Sequence, residues 1–247
     1  MTQNALSELS QPGKLRVGIN LGNILLVTGK GPAGKPQGVA PDMAATLAGR
    51  LGVTPVYVTY ATPGEVADAA ARDEWDIALI AVEPQRAEVI SFCDPYCEIE
   101  ATYLIPEGSP FRSVEEVDAP GVRIAVSERA AYDLYLSRSL KHAELRRAQG
   151  LPGAFALFVE EKLDALAGLV PALQENAMSL PGSRVLDGRY TSILQCIGTR
   201  PGRDALHAAA RQFTTEAIAS GLVASLIEKH GVAGKLQVSA LTGPKGS

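Results

Sequence analysis

The chain has 247 residues, 46% of them hydrophobic and 20% charged, with a net charge of −4 and a sequence pI near 5.5. That length supports one large core or two lobes of ordinary domain size, and an acidic balance without any Lys/Arg run excludes nucleic acid as a partner. No stretch approaches the roughly 18 consecutive apolar residues of a membrane span, so membrane insertion is not expected. The first residues, MTQNALSELSQPGK, have neither a charged n-region nor an apolar h-region; this places the protein in the periplasm if a leader was removed and in the cytoplasm otherwise.

In chain order, Lys14 to Ile19 is a short apolar strand. Gly29, Gly31, Gly34 and Gly38 then break regular structure over Thr28 to Gly38, and the GKGPAGKPQG run lacks the spacing of a phosphate loop. Pro41-Asp42 opens a helix with Met43, Leu47 and Leu51 on one face, stopped by Gly52. Val53 to Tyr60 alternates as a strand with Val56, Val58 and Tyr60 on one face, and Thr62-Pro63-Gly64-Glu65 is a capping box for a helix running through Arg72. Trp75-Asp76 leads into a buried strand to Val82, a loop carrying Arg86, a Phe92-Cys93-Asp94-Pro95-Tyr96 turn and a second apolar strand from Ile99 to Ile105. Strand and helix alternate, which favours a parallel sheet covered by helices.

A second α/β unit follows. Ser113 to Glu116 caps a helical turn, Gly121 to Val126 is a buried strand, and Ala130 to about Ala148 reads as one helix. Phe155 to Glu161 is a short helix, Leu163 to Val170 a strand, and Ile193 to Ile197 another strand. Asp204 to Ala219 and Gly221 to His230 are helices, the last stopped by Gly231. No internal sequence repeat is visible.

Four stretches together resemble the polar amino-acid family of bacterial extracellular solute-binding proteins, which serve ABC transporters. They are Gly38 to Val53, Trp75-Asp76 through Arg86, Ile90-Ser91-Phe92-Cys93-Asp94-Pro95-Tyr96, and Val114 to Val126. The resemblance implies an α/β protein of the type II periplasmic-binding fold, two Rossmann-like lobes joined by two crossing strands. Lobe 1 would comprise residues 1–106 and 193–247 and lobe 2 residues 107–192, with hinges near 103–109 and 188–194. It further implies lobe closure on a small molecule, an ABC permease as partner and no cofactor.

The resemblance puts Arg86 on the ligand's carboxylate, a task that suits a guanidinium fork. Asn23, at the loop after the first strand, and Ala81 and Val82, at the end of the strand before Arg86, join it in lobe 1. In lobe 2 the set is Ser127 and Tyr132, at a helix N-terminus whose N–H groups favour an anion, and Gly168. Two departures from the family pattern stand out. Glu83 occupies the place of a threonine, and Leu169 the place of the aspartate that meets a ligand ammonium in amino-acid binders. A buried ammonium without a counter-charge is costly, so the expected ligand is a carboxylate-bearing organic anion other than a standard α-amino acid.

Two alternatives stay open. The family also contains dehydratases of cyclohexadienyl acids, and an enzyme on this fold would draw its general acid from Glu83, Glu98 or Glu100. A cytosolic ligand sensor is the other. His142, His207 and His230 read as surface helix residues without metal-ligand spacing, so no metal is expected. Cys93 and Cys97, in a C-x-x-x-C arrangement, read as buried thiols or as a disulfide.

Overall fold

The computed structural model describes residues 2–240, and its chain divides into two units, one reaching to Glu98 and resuming at Leu194, the other spanning Ile99–Ile193. The first unit opens with α1 (Thr2–Ser7) and β1 (Lys14–Asn20), whose Leu15, Val17 and Ile19 are fully buried. The glycine-rich stretch is less irregular than its composition suggests. It forms a small antiparallel pair, β2 (Gly29–Lys30) and β3 (Pro36–Gln37), before α2 (Val39–Leu51). Gly38 caps α2 at φ 146°, and a Cβ there would stand 2.2 Å from the Leu26 carbonyl oxygen, so only glycine fits.

β4 (Thr54–Tyr60) follows, then α3 (Pro63–Ala71), held at its start by the full capping box: Thr62 Oγ1 accepts from the Glu65 N–H and Glu65 Oε2 from the Thr62 N–H. β5 (Ile77–Ala81) is buried along its whole length, and the four-residue α4 (Pro84–Ala87) leads to β6 (Ser91–Ile105). Phe92 to Tyr96 is therefore not a turn. The φ that Pro95 imposes suits an extended chain, and the segment continues into the expected strand as one 15-residue element.

In the second unit β7 (Arg123–Ser127) precedes α5 (Ala131–Ser139) and β8 (Glu144–Ala148). The single helix expected over Ala130 to Ala148 thus breaks in the middle. The Asp118 carboxylate accepts from the N–H groups of Lys141, His142 and Ala143, fixing a turn, and the residues beyond pair with β7, Leu145 opposite Ile124. His142 lies in that turn rather than in a helix. Then come α6 (Gly150–Glu160), β9 (Ala165–Leu169), α7 (Val170–Met178) and β10 (Arg184–Val185). Pro171, a helix-start signal in α7, ends the expected strand one residue early. The chain closes with β11 (Thr191–Thr199), α8 (Asp204–Ala219), α9 (Leu222–Lys229) and β12 (Gln237–Val238).

Strand order is β4-β1-β5-β11 in the first unit and β6-β9-β7-β8 in the second, β1, β4 and β5 being mutually parallel, as are β7, β8 and β9. Both units use the same lock at the start of the sheet. Asp76, buried before β5, accepts from the Arg16 N–H at 2.8 Å and pairs with the Arg16 guanidinium. Asp164, before β9, accepts from the Arg123 N–H at 2.8 Å and pairs with the Arg123 guanidinium. In the first unit Trp75 packs on Gly18 and donates its indole N–H to the Val66 carbonyl at 2.9 Å, tying α3 to the sheet.

Cys93, Cys97 and Cys196 are buried free thiols. Cys93 and Cys97 sit four residues apart on one strand, roughly 13 Å at strand rise, which is beyond the span of a disulfide.

Candidate ligand-binding site

Connectivity alone marks where each unit offers a ligand crevice. From β1 the chain crosses to β4 on one side and returns to β5 on the other; from β7 it crosses to β8 and returns to β9. Such a switch point leaves a gap beyond the carboxyl ends of the two central strands. In the first unit those ends are Asn20 and Ala81; in the second they are Ser127 and Leu169.

At the first gap, Arg86 is 3% exposed and its Nη1 donates to the Ala81 carbonyl at 2.9 Å, so the guanidinium folds back over the end of β5. Glu83, also buried, is the N-cap of α4. Val82 donates its N–H to the Leu194 carbonyl and so belongs to the sheet. Asn23 uses its carboxamide oxygen to accept from the Leu25 and Leu26 N–H groups, shaping the loop after β1. The fold thus brings Asn23, Ala81, Val82 and Arg86 to one switch point.

At the second gap stands the N-terminus of α5. Its N-cap is Ala130, which has no side chain to accept a bond, and among the described residues nothing accepts from the backbone N–H groups of Ala131, Tyr132 or Asp133. The Asp133 carboxylate, the nearest acceptor by sequence, is committed elsewhere: it accepts from the Arg129 N–H at 2.8 Å and from Arg147 Nε at 3.0 Å. Arg129 takes φ 58°, a left-handed conformation that turns the chain into the helix. Three open donors stand there with the positive end of the helix dipole, the features on which anion binding at a helix start depends.

Ser127 and Tyr132 are both buried there. Burial pushes the Tyr132 phenol up, and the Ser127 hydroxyl pulls the other way without meeting hydrogen-bond geometry. Gly168 has a packing reason to be glycine, since a Cβ would lie 2.9 Å from Leu173 Cδ2 on α7. Leu169 is the N-cap of α7 and buried, so this strand end carries hydrocarbon and no charge.

Glu98 lies in the first unit with its backbone opposite Gln237, and Glu100 in the second, its carboxylate 2.6 Å from Arg189 Nη1. Among the described residues no group of three or more His, Cys, Asp or Glu side chains is arranged to hold a metal ion. Sequence reasoning missed Tyr103, Tyr135 and Tyr190 of the second unit, whose rings pack together. The i, i+3 spacing of Tyr132 and Tyr135 on one helix face was the available signal.

The chain matches the family model of bacterial extracellular solute-binding proteins, family 3, over residues 15–233. Among solved structures it is similar to a mutant of ArgBP from T. maritima, with a TM-score of 0.74 and 22% identity over 92% of this chain and 99% of that one. It is also similar to an ancestral amino-acid-binding protein, a precursor of cyclohexadienyl dehydratase (0.75; 24%; 91% and 97%), and to the solute receptor for L-cysteine of Neisseria gonorrhoeae (0.76; 19%; 92% and 96%). At these identities the likeness is one of fold: α/β, of the type II periplasmic-binding class. No curated protein matches the chain by sequence.

Proposed function

The chain belongs to the bacterial extracellular solute-binding proteins, family 3, and on that premise we propose that it captures a small organic carboxylate outside the cytoplasm and presents it to an ABC permease. The ligand enters open lobes, its carboxylate is met by the start of α5 and by Arg86, and the lobes then close about hinges near 103–109 and 188–194.

The observation that carries this reading is the uncapped N-terminus of α5, with its open N–H groups and the buried Ser127 and Tyr132 beside it. A helix end left without a cap destabilises the apo protein, and an anion supplied from solution repairs it. Against a standard α-amino acid stand Leu169 at the end of β9 and the commitment of Asp133 to Arg147. Neither supplies a free anion for an ammonium.

A thermal-shift screen tests the proposal. Carboxylates raise the unfolding midpoint in proportion to binding, whereas their methyl esters and the matching alkylamines do not. Equal shifts from acid and ester would sink it.

A further inference from the structure

β4 is the edge strand of the first unit, and its register with β1 fixes which way each of its backbone groups points. At one end the Thr54 N–H donates to the Gly13 carbonyl at 3.0 Å, and at the other the Tyr60 carbonyl accepts from the Leu21 N–H at 2.9 Å. Backbone groups alternate along a strand, so Thr54, Val56, Val58 and Tyr60 bond to β1 while the groups of Pro55, Tyr57 and Thr59 point away from it. Among the described residues no strand pairs with that outer side. Thr54, Val56 and Thr59 are exposed there, Val56 at 37%. The strand itself is held firmly: the Tyr57 hydroxyl donates to the Pro41 carbonyl of α2 at 3.0 Å, and Tyr60 packs against the core cluster that includes Val66 and Ala70 of α3.

Open edges are ordinarily guarded by charge. β8, the edge of the second unit, follows that rule with Glu144, Arg146 and Arg147 in its five residues. β4 does not: TPVYVTY carries no charge and is made of residues that favour strands. Its one guard is Pro55, placed where its missing N–H would have pointed outward. The strand is also nearly symmetric about Tyr57, with a valine on either side. Laid antiparallel against a second copy with Tyr57 opposite Tyr57, each Tyr57 gives one backbone bond and receives one. Each Thr59 N–H then meets the Pro55 carbonyl of the other copy, and Val56 stands opposite Val58. Nothing in this pairing sets like charges against each other.

We infer that the outer edge of β4 is a self-association surface whose partner is a second copy of this chain, the two β4 strands running antiparallel about a two-fold axis at Tyr57. Such a pairing is isologous and uses up the same edge on both copies, so it closes at a dimer and does not propagate. The contact is short, and Pro55 lacks a donor, so the association is weak, reversible and dependent on protein concentration. It stands apart from ligand binding, since none of its residues belongs to the candidate site.

Sedimentation velocity over a concentration series, on the wild type, Val56→Lys and Thr59→Pro, tests it. The wild type passes from monomer to dimer as concentration rises. Val56→Lys brings like charges together near the axis, and Thr59→Pro removes an outward donor from each copy; either change lowers the association constant about tenfold or more. Thermal melts check that both variants stay folded, and Val56→Lys, a change at an exposed side chain, carries the test if the proline variant does not. Treatment with oxidised glutathione fixes the register. Tyr57→Cys links to its counterpart, because Cα atoms across a hydrogen-bonded antiparallel pair are about 5.5 Å apart, within disulfide reach. Thr59→Cys does not, its two copies standing more than roughly 13 Å apart at strand rise. A monomer at every concentration overturns the inference, whether the edge stays open or is taken by a strand of another protein. So does a dimer that Val56→Lys leaves intact, or cross-linking at position 59 as ready as at 57.

Discussion

Arg86 Nη1 donates to the Ala81 carbonyl oxygen at 2.9 Å, holding the guanidinium over the end of the strand that precedes it. The side chain therefore has two tasks, closing its own loop and offering a fixed charge at the switch point of the first unit. Arg86→Ala leaves a buried carbonyl short of a donor and removes packed methylenes, and it lowers stability by about 2–3 kcal/mol in urea titrations. Arg86→Lys keeps the charge but not the fork. It costs less stability yet weakens carboxylate binding about tenfold or more by calorimetry. Full affinity in the lysine variant would show that the fork does not meet the ligand.

Asp42 in the first turn of α2 joins the end of α9. Its Oδ2 lies 2.7 Å from Lys229 Nζ and 2.8 Å from His230 Nε2. Burial pushes this carboxylate up, but the hydrogen bonds from Lys229 and His230 outweigh it and hold it below its ordinary value. A carboxylate depressed in the folded state stabilises fully above its unfolded value near 4 and loses that contribution as pH falls through the folded one. Asp42→Asn accordingly costs about 1 kcal/mol at pH 7, and the difference from wild type closes at the acid end of a pH series of melts. A gap that persists there would point to packing instead of charge.

His207 on α8 is shifted in the same direction, in a higher pH range and by burial instead of by hydrogen bonds. Burial and then the nearby Arg211 push its imidazole down, and its Nδ1 faces Thr199 Oγ1 at 3.2 Å. The unfolded chain therefore binds this proton more readily than the folded one, so stability is full above about 6.5 and declines as pH falls below it. The loss of stability between pH 7 and 5 is shallower in His207→Gln. An unchanged slope would remove His207 from the account of acid unfolding.

The three thiols are buried, and burial first of all pushes Cys93 up to about 12. Cys97 and Cys196 are raised by the same cause. Thiolates are the reactive species, so native protein reacts slowly with a disulfide reagent and all three cysteines react once denaturant is added. Fewer than three reactive thiols in denaturant would reveal a bridge.

What could be read from the sequence was mostly local. The Thr62–Glu65 capping box and the helix stop at Gly231 depend on neighbours in the chain, and both are present as the residues suggest. The break after Ser139 was hidden because β8 exists by pairing with β7 and by the reach of Asp118 across the turn. The repeated arginine–aspartate lock escaped notice for a similar reason: Arg16 and Asp76 are 60 residues apart, Arg123 and Asp164 only 41. In the candidate site, Ser127 and Tyr132 could be found from a strand-to-helix junction. Tyr103 and Tyr190 could not, because only the folded sheet brings them together.

The central claim is that the start of α5 receives the ligand's carboxylate, and Ala130→Asp tests it most directly. An aspartate at the N-cap supplies from within the chain the anion that the ligand would bring. Titration calorimetry and melting of this variant should show a ligand-free protein stabilised by about 1 kcal/mol and a carboxylate affinity reduced at least tenfold. A stabilised variant that binds carboxylates as tightly as wild type would contradict the account.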